Sequence, residues 1–446
     1  MIRRKRLPIF AFALLLAAAV AVRADNVDEF VKSEIQKQHI AGVSIAVIKD
    51  GKIVKAEGYG LANIELNVPA KPETVFKIGS VSKQFIASGI MLLIDEGRIS
   101  LDDKISKFLE GTPETWKDIT VRHLLTHTSG IVREAPGFDP MKVQNDADVI
   151  KTAYPLPLRF QPGEKWEYCN VGYFTLAEII RKVSGKPWPE YLKERLFVPL
   201  EMNATRTTTM TDLVPNRANG YLWKSGKQEN ADVFFALRPS GAFLSTVLDL
   251  AKWDAALYTE KILKQSVREQ MWTPVKLNNG TTNPYGFGWE LSTRAGHRVV
   301  SHGGSLPGFR AALYRFVNDK LTVVVLTNSD NANPGPIAIG IADQYIPGLI
   351  PQRIAVKVNP KIFEAYAGQY QPNPAVVVTV TPQGEKLMMQ QGSSEKQELV
   401  PESESSFFMT SNREVTYSFL KDEKGQVTHL IVLREGQEVG RAKKIK

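Results

Sequence analysis

Two hydrophobic periodicities alternate along the first part of the chain and predict helices and strands in turn. Apolar side chains recur on one face of Val27–Ile40, which predicts an amphipathic helix. Val43–Ile48 and Lys52–Gly58 flank an Asp-Gly pair, which is typical of a hairpin between two strands. Ser80–Glu96 is apolar nearly all round, and Gly97 follows it as a stop signal. A helix of that composition is expected to be buried.

The patterns that follow, up to residue 345, predict a domain that mixes helices and strands. Three further segments have helical periodicity, and four later segments are strand-like: Phe174–Val183, Trp188–Leu196 and Val247–Tyr258 for the helices, and Phe287–Leu291, His297–His302, Ala311–Phe316 and Leu321–Thr327 for the strands. Because strand signals occur at both ends of this region, we expect one sheet assembled from both ends, with helices between them in the sequence.

The pattern changes again after residue 345. Prolines punctuate residues 346–360, which we interpret as a linker. Residues 361–446 contain only short strand-like segments between turns that contain glycine: Val376–Val380, Lys386–Gln390, Glu398–Val400, Ser406–Met409, Val415–Leu420 and Val427–Leu433. Such a run predicts a small β-barrel or sandwich. The basic residues at the end of the chain are interpreted as a solvated tail.

The N-terminus is typical of a secretory signal peptide. Four consecutive basic residues from Arg3 to Arg6 precede an apolar stretch from Ile9 to Val22, and Val22 and Ala24 supply small residues before a candidate cleavage site. The apolar stretch is shorter than the roughly 20 residues of a membrane-spanning helix. We therefore expect residues 1–24 to be removed and the mature protein to be periplasmic or secreted, without stable membrane insertion.

The net charge and the cysteine content limit the classes of function that are expected for this chain. Residues 1–24 carry five basic and no acidic side chains, so their removal lowers the net charge from +9 to +4. That modest excess does not favour nucleic-acid binding. Cys169 is the only cysteine, so no intramolecular disulfide can form. Its neighbours in the sequence indicate neither a lowered pKa nor a nearby base, and a packed thiol is expected.

The first candidate catalytic motif is Ser80-Val81-Ser82-Lys83, at the start of the predicted buried helix. Residues three apart share one face of a helix, so the Lys83 amine is within reach of the Ser80 hydroxyl. A lysine desolvated among apolar side chains has a lowered pKa and can take the serine proton. Gly79 allows a close backbone approach at this helix start, where free N–H groups point at a developing oxyanion.

Two further motifs support the first. Tyr168-Cys169-Asn170 places a phenol that can pass protons beside an amide that can hold a substrate carbonyl or orient Lys83. His302-Gly303-Gly304-Ser305 follows a strand signal, and its glycines let a substrate lie along the strand. The N–H of Ser305 could complete an oxyanion hole with that of Ser80, and His302 would supply a hydrogen-bond donor or a positive charge.

The order S-x-x-K, Y-x-N, H-x-G resembles the class C branch of the β-lactamase and penicillin-binding-protein superfamily. Other phrases that are similar to this family are His123-Leu124-Leu125-Thr126-His127-Thr128-Ser129-Gly130, Gln161-Pro162-Gly163, Gly241-Ala242-Phe243-Leu244-Ser245-Thr246 and Tyr285-Gly286-Phe287-Gly288-Trp289. The resemblance covers about residues 25–345 and implies an α+β fold, an antiparallel sheet flanked by helices plus an all-helical region. Residues 361–446 resemble the lipocalin-like barrels appended to some peptidases of the superfamily, where they restrict access or mediate assembly.

Carried over by residue, the resemblance implies that Ser80 is the acylated nucleophile, Lys83 its partner and Tyr168 the general acid/base. Asn170 becomes the substrate-amide contact, and His302, Gly304 and Ser305 complete the substrate-binding set. These roles imply a serine hydrolase that cleaves an amide or ester in a small molecule or short peptide, such as a D-residue peptide or a β-lactam-like compound, without a cofactor.

The third motif departs from the family pattern. The β-lactamases and many peptidases have Lys-Thr-Gly where this chain has His302-Gly303-Gly304, and the lysine helps to hold a substrate carboxylate. Its replacement leaves two alternatives open, an esterase of the same superfamily and a catalytically silent protein that binds wall peptides. His123 and His127 have the i, i+4 spacing of a zinc pair, but Leu124 stands where a metalloprotease has its glutamate, so a structural role is favoured and no metal site is predicted. The C-terminal domain is a candidate for homo-oligomer formation.

Overall fold

The protein was analysed as a computed structural model that describes residues 26–446 apart from 210, 232–237, 242 and 435. The predicted signal peptide, residues 1–24, lies outside the described residues. The chain divides into two compact units, one ending at Ile346 and the other spanning Pro347–Lys446. Among the described residues, no helix is long and apolar enough to span a membrane.

The first unit is organised around a seven-stranded sheet in the order β10-β11-β12-β13-β1-β2-β3. Its strands come from both ends of the unit, as predicted: β1 Gly42–Lys49, β2 Lys52–Asn63, β3 Val68–Pro69, β10 Glu290–Arg294, β11 His297–Leu306, β12 Phe309–Phe316 and β13 Leu321–Thr327. Short strands form three separate pairs: β4 Phe76–Lys77 with β7 Leu244–Ser245, β5 Tyr221–Lys224 with β6 Lys227–Asn230, and β8 Val275–Lys276 with β9 Thr282–Asn283.

Helices supply the rest of the unit. They are α1 (26–38), α2 Lys83–Asp95, α3 Val121–Leu125, α4 Asp146–Lys151, α5 Asn170–Ser184, α6 Trp188–Leu192, α7 Val247–Ala256, α8 Gln265–Met271 and α9 Pro334–Asp343. β13 is buried along its whole length and β1 along all but its last residue, because α7 packs on β1, β2 and β13, while α9 packs on β12 and β13. The α+β fold is therefore confirmed, and its central strands have the continuous apolar sequence of a sheet covered on both faces.

The predicted helix at Ser80 is divided in two. A 3-10 turn, Gly79–Ser82, precedes α2, which begins at Lys83. Eleven of the thirteen residues of α2 are buried, as its uniformly apolar sequence predicts, and the helix packs against α5. The turn therefore holds Ser80 at the edge of the core while Lys83 lies inside it.

The second unit contains a closed antiparallel barrel of eight strands, which confirms the prediction of a small all-β domain. The strands are β14 Gly368–Asn373, β15 Val376–Gln383, β16 Lys386–Gln391, β17 Gln397–Pro401, β18 Ser406–Met409, β19 Asn412–Lys421, β20 Val427–Arg434 and β21 Gln437–Lys444, preceded by the short helix α10 Phe363–Tyr366. Phe407 and Phe419 fill the interior with Tyr366 and Tyr370, whose hydroxyls donate to backbone carbonyls.

The end of the chain differs from the prediction. The basic residues interpreted as a solvated tail belong to β21, which pairs with β20 on one side and with β14 on the other and so closes the barrel. The segment interpreted as a linker forms part of the second unit. In it, the Arg353 guanidinium pairs with Glu402, and the Val356 N–H donates to the Pro401 carbonyl.

Candidate active site

Ser80 and Lys83 lie together at the junction between the 3-10 turn and α2. The Lys83 Nζ lies within hydrogen-bonding distance of the Ser80 Oγ, at 3.2 Å. The Nζ also donates to the Asn170 Oδ1 at 2.9 Å and to the Ser240 carbonyl oxygen at 2.7 Å. Sequence analysis missed Ser240, because a backbone carbonyl has no residue signature. These three contacts hold the Lys83 Nζ against the hydroxyl that it is predicted to deprotonate.

The electrostatic environment of Lys83 favours the neutral amine. The side chain is fully buried, and burial lowers the pKa of Lys83 well below its usual range, with the nearby Arg238 cation as the next cause. No carboxylate forms an ion pair with Lys83 among the described residues. A lowered pKa favours the neutral amine, which can accept a proton, so the surroundings of Lys83 are consistent with its predicted role as a base.

Tyr168 and Asn170 enter the site from the start of α5. Tyr168 hydrogen-bonds Ser80, and burial raises the pKa of Tyr168 above its usual range. A neutral phenol is therefore the resting state, and in this state Tyr168 can donate a proton. The Asn170 Oδ1 accepts from Lys83 and its Nδ2 donates to Glu134, and Asn170 also lines the cleft, so its predicted role as a substrate contact stays a prediction. Asn170 holds Lys83 in place, the second of the two roles that its motif indicated.

The third motif lies directly against the Ser80 turn. A Cβ on Gly304 would come within 2.0 Å of the Ile78 carbonyl oxygen, so only glycine fits there. Gly79 has a φ of +54°, and a Cβ on it would lie 2.5 Å from the Ser305 backbone nitrogen. These two close approaches bring the Ser305 backbone nitrogen beside Ser80, where an oxyanion hole is predicted.

A buried chain of hydrogen bonds lies behind the third motif. The Cys169 N–H donates to the His127 Nδ1 at 3.1 Å, so a neutral His127 carries its proton on Nε2. That nitrogen lies 3.2 Å from the Tyr285 hydroxyl, which in turn lies 3.0 Å from the His302 Nε2. The His302 Nδ1–H then donates to the Gly303 carbonyl at 2.6 Å. Each group in this series of hydrogen bonds therefore has one consistent assignment as donor or acceptor.

The hydrogen bonds around His302 correct the charge predicted at the third motif. His302 is 2% exposed, and burial is the main cause that lowers the pKa of His302 to about 3. Burial also lowers the pKa of His127 well below its usual range. His302 is therefore neutral and has no nitrogen left for a substrate. From the sequence, Tyr285 was assigned no role and His127 only a structural one, although both lie in the phrases that carry the family resemblance.

The remaining predicted residues have structural roles. Cys169 is buried, and burial raises the pKa of its thiol to about 12, which fits the packed thiol that was expected. The His123 Nδ1 accepts from the Thr120 N–H in a capping box at the start of α3. Both histidines of the rejected zinc pair thus take part in hydrogen bonds of the fold.

The cleft above Ser80 has two lobes, which share five lining residues: Ser80, Arg133, Tyr168, Ser305 and Arg310. One lobe, of about 440 Å³, extends toward Glu134, Arg238 and Asp330. The other, which we call the β11 lobe, has a volume of about 480 Å³ and is lined by backbone and side chains of β10, β11 and β12 and by the start of α9: Glu290, His302, Gly303, Gly304, Ala311, Ala312, Tyr314 and Asn333. The nucleophile is thus open to a substrate on both sides.

Comparison with known proteins agrees with this geometry. The β-lactamase family model matches residues 24–344. The chain belongs to the β-lactamase family. Serine hydrolases make up most of this family's superfamily. Residues 352–440 match a second family, described as a domain of unknown function, DUF3471. Penicillin-binding protein 4* of Bacillus subtilis is 31% identical over 404 residues, which cover 84% of this chain and 89% of that protein.

Solved structures of β-lactamase-family proteins extend the likeness. A penicillin-binding protein homologue from Pyrococcus abyssi, described as octameric, is 28% identical and covers 94% of this chain and its own whole length with a TM-score of 0.67. The D-amino acid amidase of Ochrobactrum anthropi SV3, solved with L-phenylalanine, is 24% identical and covers 72% of this chain and 98% of its own, with a TM-score of 0.63. The second likeness supports the fold alone.

Proposed function

We propose that this protein is a serine hydrolase that cleaves an amide or ester bond through an acyl-enzyme on Ser80. The observation that supports this most directly is the 3.2 Å contact between the Ser80 Oγ and the buried Lys83 Nζ. Burying a lysine without an acidic partner costs folding free energy, and activating a nucleophile explains why the chain retains it. A protein that only bound peptides would need neither the unpaired amine nor the phenol of Tyr168.

The charge states assign the proton transfers. Neutral Lys83 accepts the proton of Ser80 as its oxygen forms a bond to the substrate carbonyl carbon. The tetrahedral oxyanion accepts from the N–H groups of Ser80 and Ser305. Tyr168 donates its proton to the leaving amine or alcohol as that bond breaks, and Lys83 returns a proton to Tyr168. Water then attacks the acyl-enzyme by the same route in reverse, with Ser80 as the leaving group.

The proposal extends to the setting of the protein. The basic and apolar N-terminus supports export to the periplasm or the exterior. The octameric state of the Pyrococcus abyssi homologue supports assembly of this chain into a homo-oligomer. The names of the similar proteins support peptides with D-residues and β-lactams as substrate classes to test first, and simple esters stay the alternative that the third motif leaves open.

Covalent labelling tests the proposal. The purified chain is incubated with a fluorophosphonate and, in parallel, with a fluorescent penicillin, and each product is measured by intact mass spectrometry. We expect the fluorophosphonate to add one adduct that maps to Ser80 and is absent in Ser80→Ala. Ser292→Ala, an exposed serine on β10, is the matched control and should label normally. No adduct with either reagent would favour the silent wall-peptide-binding protein instead.

A further inference from the structure

Glu290 is an acidic group of the cleft that the proposed chemistry does not use. It lies on β10, opposite Ser301 of β11, and is exposed on the wall of the β11 lobe, which also contains Ser80 and Tyr168. Within the described part of the chain, no cation or hydrogen-bond donor contacts its carboxylate. Desolvation by the surrounding protein raises the pKa of Glu290, so its charge is poorly compensated.

The third motif supplies no cation to this carboxylate. Relatives with Lys-Thr-Gly place a lysine at this motif, where this chain has His302. His302 is neutral, and its two ring nitrogens are occupied by Tyr285 and Gly303. The β11 lobe therefore has a carboxylate in place but no ammonium from the protein beside it.

The other charged residues of the lobe do not supply the missing cation. Arg310 forms an ion pair with Asp330 at 2.5 Å and also donates to the Leu306 and Phe309 carbonyls. Arg133 lies over the Tyr168 ring, 5.2 Å from its centroid, and no ion pair joins it to Glu290 in the described residues. The one uncompensated carboxylate of this lobe is thus open to solvent and to ligand.

Building on the acyl-enzyme function proposed above, we propose that Glu290 binds a primary ammonium group of the substrate in the β11 lobe. The substrate class is then an amide or ester that bears an amine close to its scissile carbonyl. The ammonium would neutralise Glu290 as a protein lysine would, and a charge-assisted contact in a partly desolvated lobe is stronger than one in water. A substrate carboxylate is disfavoured in the same position because it would meet a like charge.

The ammonium can belong to the acyl part or to the leaving group, and two substrate pairs separate these sources. On the acyl side, D-alanine p-nitroanilide is compared with propionyl p-nitroanilide, which lacks only the amine. On the leaving-group side, 4-(aminomethyl)phenyl acetate is compared with 4-ethylphenyl acetate. For each pair the measured quantity is the ratio of kcat/KM for the charged substrate to kcat/KM for its neutral analogue.

In the wild type we expect this kcat/KM ratio to exceed ten for one of the two pairs. In Glu290→Gln the same ratio should fall about tenfold to a hundredfold, the loss typical of one charged contact. Glu57→Gln, an exposed glutamate on β2 that does not line the cleft, is the control and should keep the wild-type ratio. Ratios near one in both pairs would contradict the ammonium subsite, and so would a ratio that stays at the wild-type value in Glu290→Gln. If the neutral esters were still turned over, the serine hydrolase proposal would stand. No turnover together with no adduct on Ser80 would overturn both proposals.

Discussion

Two regions of the first unit each bury a basic side chain completely, and the surroundings of the two side chains differ in charge. Arg315 on β12 forms an ion pair with Asp254 of α7 at 2.5 Å, and the Thr322 hydroxyl donates to the same carboxylate. The rings of Tyr258 and Trp272 lie 4.7 and 4.9 Å from the Arg315 guanidinium carbon. Lys83, by contrast, has only neutral oxygen acceptors within hydrogen-bonding distance.

The difference separates a structural charge from a reactive one. A buried cation beside a carboxylate stays protonated, because removing its proton would leave the carboxylate unpaired. A buried lysine without such a partner is stabilised as the free amine, which is what a base requires. Burial alone therefore does not mark a basic side chain as functional, whereas burial without an opposite charge, next to a serine hydroxyl, favours the proposed role.

The largest expected effect is on the reactive side of this comparison. Lys83→Met removes the base and leaves Ser80 with only the neutral phenol of Tyr168. We expect acylation of Ser80 to slow about a thousandfold, within the range of general base catalysis. Rates of fluorophosphonate labelling measured by mass spectrometry test this, and a variant that labelled at the wild-type rate would show that Lys83 is not the base.

The same variant also tests the charge state of Lys83. Its folded pKa lies below the value of 10.5 usual for lysine, so between the two values the unfolded chain binds a proton that the folded chain does not. Stability then rises with pH in that interval. The wild type should gain free energy of unfolding relative to Lys83→Met between neutral pH and about pH 10 in urea titrations. Parallel pH profiles would indicate a protonated, charged Lys83.

The next effect concerns the structural side. Arg315→Met leaves the Asp254 carboxylate buried without its cation, and we expect a loss of about 3–5 kcal/mol in the free energy of unfolding. The double variant Arg315→Met with Asp254→Leu should recover most of that loss, since no charge then stays buried. The labelling rate of the folded fraction should not change in either protein. A double variant as unstable as the single one would contradict the ion-pair explanation.

The smallest effect concerns the backbone of the cleft. Gly304→Ala places a methyl group within 2.0 Å of the Ile78 carbonyl, which must move the Ser80 turn and the Ser305 N–H apart. We expect about a hundredfold loss of kcat, similar to the loss of one oxyanion donor. Gly303→Ala is the matched control, because its methyl group would meet no atom closer than 3.8 Å. Equal losses in the two variants would contradict the proposed oxyanion hole.

The fold could be predicted well where local pattern and burial agree. β13 was predicted to the residue, and β18 likewise, because both have apolar sequences with clear turn signals at their ends. β14 and β21 were missed, since their sequences are polar and contain proline or several charges. Both are strands because barrel closure pairs them with each other, and that long-range pairing leaves no local signal in either segment.

The residues of the site could be predicted from the sequence, but their protonation states could not. The three motifs named Ser80, Lys83 and Tyr168, which the structure brings together. Their protonation states depend on desolvation and on partners such as the Ser240 carbonyl, which sequence spacing does not encode. The neutral state of His302 depends likewise on Tyr285 and on His127, residues that come from distant parts of the chain. The substrate roles of Gly304 and Ser305 stay predictions.

The pairing of β1 with β13 has a consequence for how the chain acquires its structure. Val43 pairs with Thr327, so β1 cannot form its pairing with β13 until a segment about 280 residues further along the chain is available. Contacts of such high sequence separation are slow to form. In the barrel, by contrast, each strand pairs with the next one in sequence and a single long closure remains. During synthesis the apolar β1 stays without its central neighbour until nearly the whole first unit has been made, so protection of the nascent chain by a chaperone is most needed there.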